Sequence, residues 1–137
     1  MKKINRFELP YPPSINTLYW FNKYGSKFLT PKGRKFQSDA LYSLSKYNYH
    51  TISGRVSVLV ELHVPDLRDR DIDNPVKAVL DSLTKAKVYE DDKQIDFLSV
   101  IRCPKIKGGL CVVYIIEEVS FFQKMWSRIL SIFNKSL

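Results

Sequence analysis

The sequence predicts an α+β domain, a two-layer sandwich in which a mixed β-sheet carries two main helices on one face in the order β-α-β-α-β-β, with an amphipathic helix added at the C-terminus. Three observations carry this. Residues 55–64 alternate almost without exception, with Val56, Val58, Val60, Leu62 and Val64 facing one way and Arg55, Ser57, Glu61 and His63 the other, as a half-buried strand requires. Two segments open on a polar residue and a proline, Thr30-Pro31 and Asn74-Pro75, and then repeat apolar residues at helical spacing. The 137 residues, 45% of them hydrophobic, suit a single domain.

Taken in order, Ile4–Leu9 reads as a short strand that ends in Leu9-Pro10-Tyr11-Pro12-Pro13, where prolines remove donors and forbid a helix. Residues 14–29 read as a long irregular segment with Tyr19, Trp20, Phe21, Tyr24 and Phe28 interleaved with Lys23 and Lys27. Such a mixture stacks bases or sugars in some proteins. In others it is core or dimer contact. Thr30 is placed to cap a helix running to about Tyr47, with Phe36, Ala40, Leu44 and Tyr47 on its inner face and Lys32, Arg34 and Lys35 at its start. After the alternating strand, Pro65 breaks the pattern.

Asn74 is the expected cap of the second helix and Pro75 its first residue, with Val76, Val79, Leu80 and Leu83 turned to the core. Residues 94–103 and Leu110–Glu117 read as strands joined by a turn at 104–109, so they are expected to pair as a hairpin. From Val119 on, Ser120 is placed to cap a helix with Phe122, Met125, Trp126, Ile129, Phe133 and Leu137 as its seam and Lys124, Arg128, Asn134 and Lys135 opposite. Residues 1–118 are thus expected to form the main domain and 119–137 a helical extension of it, docked on the sheet or across a dimer.

Charge is distributed unevenly. Lysine and arginine number 22 against 14 acids, a net of +8, which fits a nucleic-acid partner. Between residues 61 and 96, however, stand ten of the acids with six bases, a net of −4 that leaves +12 on the remainder. A basic body with one acidic centre suits an enzyme that grips a polyanion and presents carboxylates to a metal at one point. The apolar runs are too short to span a membrane and the first residues lead into a strand, so a soluble cytoplasmic protein is expected. Cys103 and Cys111 form no disulfide framework and lack zinc-binding spacing.

The acidic centre begins at residues 65–77, PDLRDRDIDNPVK. In an extended stretch residues two apart project together, so Asp71 and Asp73 share one side and repel unless a cation lies between them. Asp91 or Asp92 is positioned to add a third oxygen if the strand that follows pairs beside residues 55–64. A few hard oxygen ligands with room for water and phosphate suit Mg²⁺ or Mn²⁺. Lys77 sits in the first turn of a helix, where a cation opposes the macrodipole by roughly 0.3 to 1 kcal/mol. A residue placed against local preference is a candidate for phosphate stabilisation. The bland alternative is a solvated surface on which acids and arginines screen one another.

Four stretches in this order resemble the RusA-type Holliday junction resolvases of bacteria and their prophages: LPYPPSIN, RDRDIDNPVKAVLDSLTKA, YEDDKQI and the strand pair around KIKGG. The resemblance runs from about Phe7 to Glu117. It implies a homodimeric endonuclease that binds four-way DNA junctions and, with Mg²⁺ or Mn²⁺, nicks two strands symmetrically. It places the essential, metal-holding carboxylates on Asp71, Asp73 and Asp92 and the catalytic lysine on Lys77. The basic loop before the first aspartate is altered, because Asp69 stands between Arg68 and Arg70. DNA contacts are expected from Arg68, Arg70, Lys23, Lys27, Lys32, Arg34 and Lys35.

A four-way junction has two-fold symmetry, which a symmetric dimer with one site per protomer would match. The aromatic segment and the terminal helix are the candidate dimer surfaces. Two rival readings are a non-catalytic branched-DNA-binding module whose acids pair with its own arginines, and a nuclease for flaps or forks. No membrane partner is expected.

Overall fold

The computed structural model describes residues 3–117 and 121–135, without the side chains of 121–124 and 126. A four-stranded sheet is built from β1 (Ile4–Leu9), β4 (Val56–His63), β5 (Ile95–Cys103) and β6 (Leu110–Glu117) in the order β1-β6-β4-β5. Between them lie α1 (Ile15–Leu18), β2 (Tyr19–Phe21), β3 (Lys27–Leu29), α2 (Pro31–Ser45) and α3 (Val76–Lys85), and α4 (Phe121–Lys135) follows the last strand. The mixed sheet and its helices form the expected α+β arrangement.

The alternation of β4 places Val56, Val58, Val60 and Leu62 in the core, opposite Ile115, Val113 and Cys111 of β6 and, one strand further, Phe7 and Leu9 of β1. Phe36, Ala40 and Leu44 of α2 and Ala78, Val79 and Leu83 of α3 close the same core from one side. Burial of this contiguous apolar surface is the main force holding the two layers together. The opposite face has no such cover among the described residues, for Ile4, Phe97 and Ile101 are exposed there. Thr30 caps α2 as expected, its hydroxyl accepting from the Gly33 amide at 2.9 Å.

Three expectations are corrected. The last two strands do not form a hairpin: β4 lies between them, running parallel to β5 and antiparallel to β6. The cause is α3, which makes β4-α3-β5 a crossover unit and delivers β5 parallel to β4, leaving β6 to take the other edge. Residues 14–29 are not irregular but form α1 and the β2–β3 hairpin. Local turn chemistry sets this, since the Asn22 carboxamide oxygen accepts from Tyr24 and Ser26 amides, both at 2.9 Å, and Gly25 takes a φ of +81°.

Asn74 does not cap α3. The helix starts at Val76 with Pro75 in the cap position and no side-chain capping bond. The Asn74 side chain donates to Asp71 Oδ2 at 3.2 Å and its carbonyl accepts from the Ile15 amide at 2.8 Å, so the residue ties the acidic loop to α1 instead. The terminal helix forms as expected, and Met125 and Phe133 of its seam are exposed in the single chain. Ser120, Leu137 and the side chains of Phe122, Lys124 and Trp126 lie outside the described residues. No helix among the described residues is long and apolar enough to cross a membrane.

Candidate active site

The acidic loop leaves the end of β4, an inner strand, and its base is held from three directions. Arg70 pairs with Asp66 at 2.7 Å and donates to the carbonyls of Asp66 and Arg68 at 3.2 and 3.1 Å. Arg102, near the end of β5, donates to the Arg70 carbonyl. Residues 104–109 reach back as well, with the Ile106 amide donating to Val64 O at 3.1 Å. Hydrogen bonds from Arg68, and then from Arg70, hold the Asp66 carboxyl well below the usual carboxylate range.

Arg68 and Arg70 thus spend their ion pairs on Asp66. Among the described residues no ion pair joins a lysine or arginine to Asp71 or Asp73, and both are exposed. The Asn74 amide is the hydrogen-bond partner of Asp71.

Lys77 projects from the first turn of α3 and bridges two acids, with Nζ 2.8 Å from Asp81 Oδ1 and 3.7 Å from Asp92 Oδ2. The Tyr19 hydroxyl donates to the other oxygen of Asp81, so a chain of polar contacts runs from the β2–β3 hairpin through α3 to the turn before β5. The hydrogen bond to Asp81, more than the charge of Asp92, raises the Lys77 pKa above its ordinary 10.5, and the side chain stays cationic at neutral pH. Burial, with the bond to Asp81 second, likewise raises the Tyr19 phenol and keeps it neutral.

The second acidic knot is organised by Gln94. Its buried carboxamide oxygen accepts from the Glu90 and Asp91 amides, both at 2.8 Å, while its nitrogen donates to Ile52 O at 2.9 Å and Gly54 O at 2.8 Å. Asp91 turns back to cap the short 3₁₀ turn Asp92–Gln94, accepting from the Lys93 amide at 2.9 Å. That leaves Asp92 as the acid directed to Lys77. The three aspartates do not form a closed cluster: among the described residues, the one group of three or more ligand-type side chains whose ligand atoms all lie within 4.8 Å of one another is Glu61, His63 and Cys103.

A cleft of about 770 Å³ opens beside Asp71, lined among others by Tyr11, Lys32, Lys35, Arg68, Arg70 and Arg102. Of the expected DNA contacts, Arg68, Arg70, Lys32 and Lys35 therefore line one cleft, although Lys35 also pairs with Asp39 at 2.6 Å. Arg34 is engaged with the Leu29 carbonyl at 2.9 Å. Lys23 and Lys27 lie on the hairpin, over the rings of Tyr24 and Tyr19 at 5.0 and 4.1 Å. Arg70, with a side chain only 20% exposed, is chiefly a brace of the loop. Sequence reasoning missed Tyr19, Asp81 and Gln94 as members of this site. Only the Lys77–Asp81 spacing, one helical turn, signalled a contact.

The endodeoxyribonuclease RusA family model matches residues 10–115 of this chain. A crossover junction endodeoxyribonuclease of Enterobacteria phage HK97 is 39% identical over 113 residues, covering 82% of this chain and 93% of its own length. The protein of the same name from Shigella sonnei is 34% identical over 110 residues, covering 80% and 91%, and that of Enterobacteria phage 82 is 36% identical over 111 residues with the same coverage. The matched region takes in the proline-rich segment, the acidic loop, α3 and the strands around them, and on this ground the chain belongs to the RusA family of endodeoxyribonucleases.

Proposed function

We propose that this chain is a divalent-metal-dependent endodeoxyribonuclease that resolves four-way DNA junctions by paired symmetric nicks, acting in the cytoplasm as a homodimer. The observation that carries the reading is the pair of exposed aspartates, Asp71 and Asp73, which among the described residues form no ion pair with an arginine or lysine, at the exit of the inner strand β4, with Lys77 held in place by Asp81 and Asp92. The same observation counts against the non-catalytic alternative, in which the arginines would neutralise those acids.

Asp71, Asp73 and Asp92 are the residues that would hold the metal. Their donors are hard carboxylate oxygens, which fit Mg²⁺ or Mn²⁺. A bound ion of this kind would lower the pKa of a water and offset charge at a phosphodiester. The protein's own groups do the rest. Lys77, cationic and braced on two sides, faces the charge that builds on the phosphate as the leaving oxygen departs. Asn74 and Gln94 position Asp71 and the turn that bears Asp92. Arg68, Lys23, Lys27, Lys32, Arg34 and Lys35 grip the backbones, with Arg70 steadying the loop between them.

The experiment is cleavage of a mobile four-way junction, mapped to the nucleotide, with Mg²⁺ and with chelator, beside flap and fork substrates. Paired nicks at symmetric positions, lost in chelator and in Asp71→Asn or Asp73→Asn while junction binding survives, are the expected result. Retained Mg²⁺-dependent cleavage by both variants would overturn the site, and a preference for flaps or forks would overturn the substrate.

A further inference from the structure

We propose that Glu61, His63 and Cys103 form a binding site for a borderline transition-metal ion of the zinc type on the outer face of the sheet, one ion per chain, separate from the aspartates. Glu61 and His63 lie two residues apart on β4 and so share a face, and the parallel register sets Cys103 of β5 directly beside His63. One ligand atom from each lies within 4.8 Å of the others, and all three residues are half-buried. A tetrahedral ion with bonds of about 2.0 to 2.3 Å holds its ligands about 3.5 Å apart, so the side chains need close by only about an ångström.

Two further features fit a metal. His63 Nδ1 lies 3.0 Å from the Pro104 carbonyl, which fixes the proton on that nitrogen and leaves the lone pair on Nε2, the second bond that metal-binding histidines make. The Cys103 thiol points at Glu61 Oε2, 3.6 Å away, so sulfur and carboxylate already converge. On binding, the thiol proton passes to solvent, a sulfur–metal bond replaces the S–H bond, and no redox change occurs. A nitrogen, a sulfur and an oxygen make a donor set that Mg²⁺ does not select. The ion would join the ends of β4 and β5, where the acidic loop departs and where Arg102 holds the Arg70 carbonyl.

The test uses the full chain carrying Asp71→Asn and Asp73→Asn, so that the acidic site does not compete, titrated with Co²⁺ in excess Mg²⁺. Expected are a thiolate-to-cobalt charge-transfer absorption saturating at one equivalent, its displacement by Zn²⁺, and its loss in Cys103→Ser. His63→Gln and Glu61→Gln are expected to weaken binding at least about tenfold. The only other cysteine, Cys111, faces the core and is fully buried, so in folded protein sulfur absorption reports Cys103, and circular dichroism is used to establish that each variant is folded. Absence of the absorption, its persistence in a folded Cys103→Ser, or its displacement by Mg²⁺ would overturn the site. These readouts do not involve cleavage and stand or fall apart from the nuclease reading.

Discussion

Lys77 is the residue on which local preference and site chemistry disagree. A cation in the first turn of α3 is disfavoured by the helix dipole, yet here Asp81 and Asp92 hold it charged. Because its folded pKa is raised, the stabilisation from its charge is fully present below the ordinary value near 10.5 and is lost only as pH rises through the folded value. Lys77 therefore serves as a fixed charge at neutral pH, not as a base. Lys77→Ala is expected to lower turnover on a junction by about a hundredfold with little change in affinity, measured by single-turnover cleavage and by gel shift. Asp81→Asn keeps the lysine but removes its main partner. It should cost about tenfold in turnover and move the alkaline limb of the pH–rate profile downward, and an unmoved limb would show that Asp81 does not set the charge of Lys77. Asp71, Asp73 and Lys77 stood out as candidates in the sequence because they lie within seven residues of one another. Tyr19 was not legible as a partner of Asp81, because 62 residues separate them and only the fold closes that distance.

Among the elements, those with a local cause were legible and those decided by neighbours were not. The alternation of β4 and the Thr30-Pro31 start of α2 express backbone preferences, and both form where expected. The pairing of β5 is a tertiary outcome of α3 crossing between two strands, so neighbours in the chain gave a false hairpin. The turn before β5 depends on one side chain: Gln94 satisfies two amides and two carbonyls at once. Gln94→Ala is expected to destabilise the fold by roughly 2 to 4 kcal/mol, read from chemical denaturation, since several half-buried backbone groups lose partners together. It should also lower turnover through Asp92. Gly33 makes a second local demand, for a Cβ there would stand 2.5 Å from the Leu18 carbonyl oxygen, where α1 meets α2. Gly33→Ala is expected to cost about 1 to 3 kcal/mol in the same assay, because backbone must move. A cost near zero would mean that α1 yields freely and does not fix the loop that Asn74 ties to it.

At the scale of the molecule the charge map and the open surfaces have to be explained together. The basic excess lies outside residues 61–96, and Lys32 and Arg68 share the cleft beside Asp71. The outer sheet face and the described part of α4 present exposed apolar side chains, including Phe97, Ile101, Ile132 and Phe133, which a monomer gains nothing from exposing. A symmetric dimer would cover such surfaces and present two clefts to one junction. Salt dependence distinguishes the cases, since each phosphate contact contributes about −0.9 to the slope of log affinity against log salt on duplex DNA. If one chain bound the junction, Lys32→Ala would reduce the slope by about one; if two chains grip it about a shared axis, the same substitution removes two contacts and the slope falls by about two. The expected value is two, measured by fluorescence anisotropy on a labelled junction. Asp71→Asn, which removes a negative charge and no phosphate contact, should leave the slope unchanged. A fall of one, with a monomeric mass in sedimentation, would mean that two independent molecules make the two nicks.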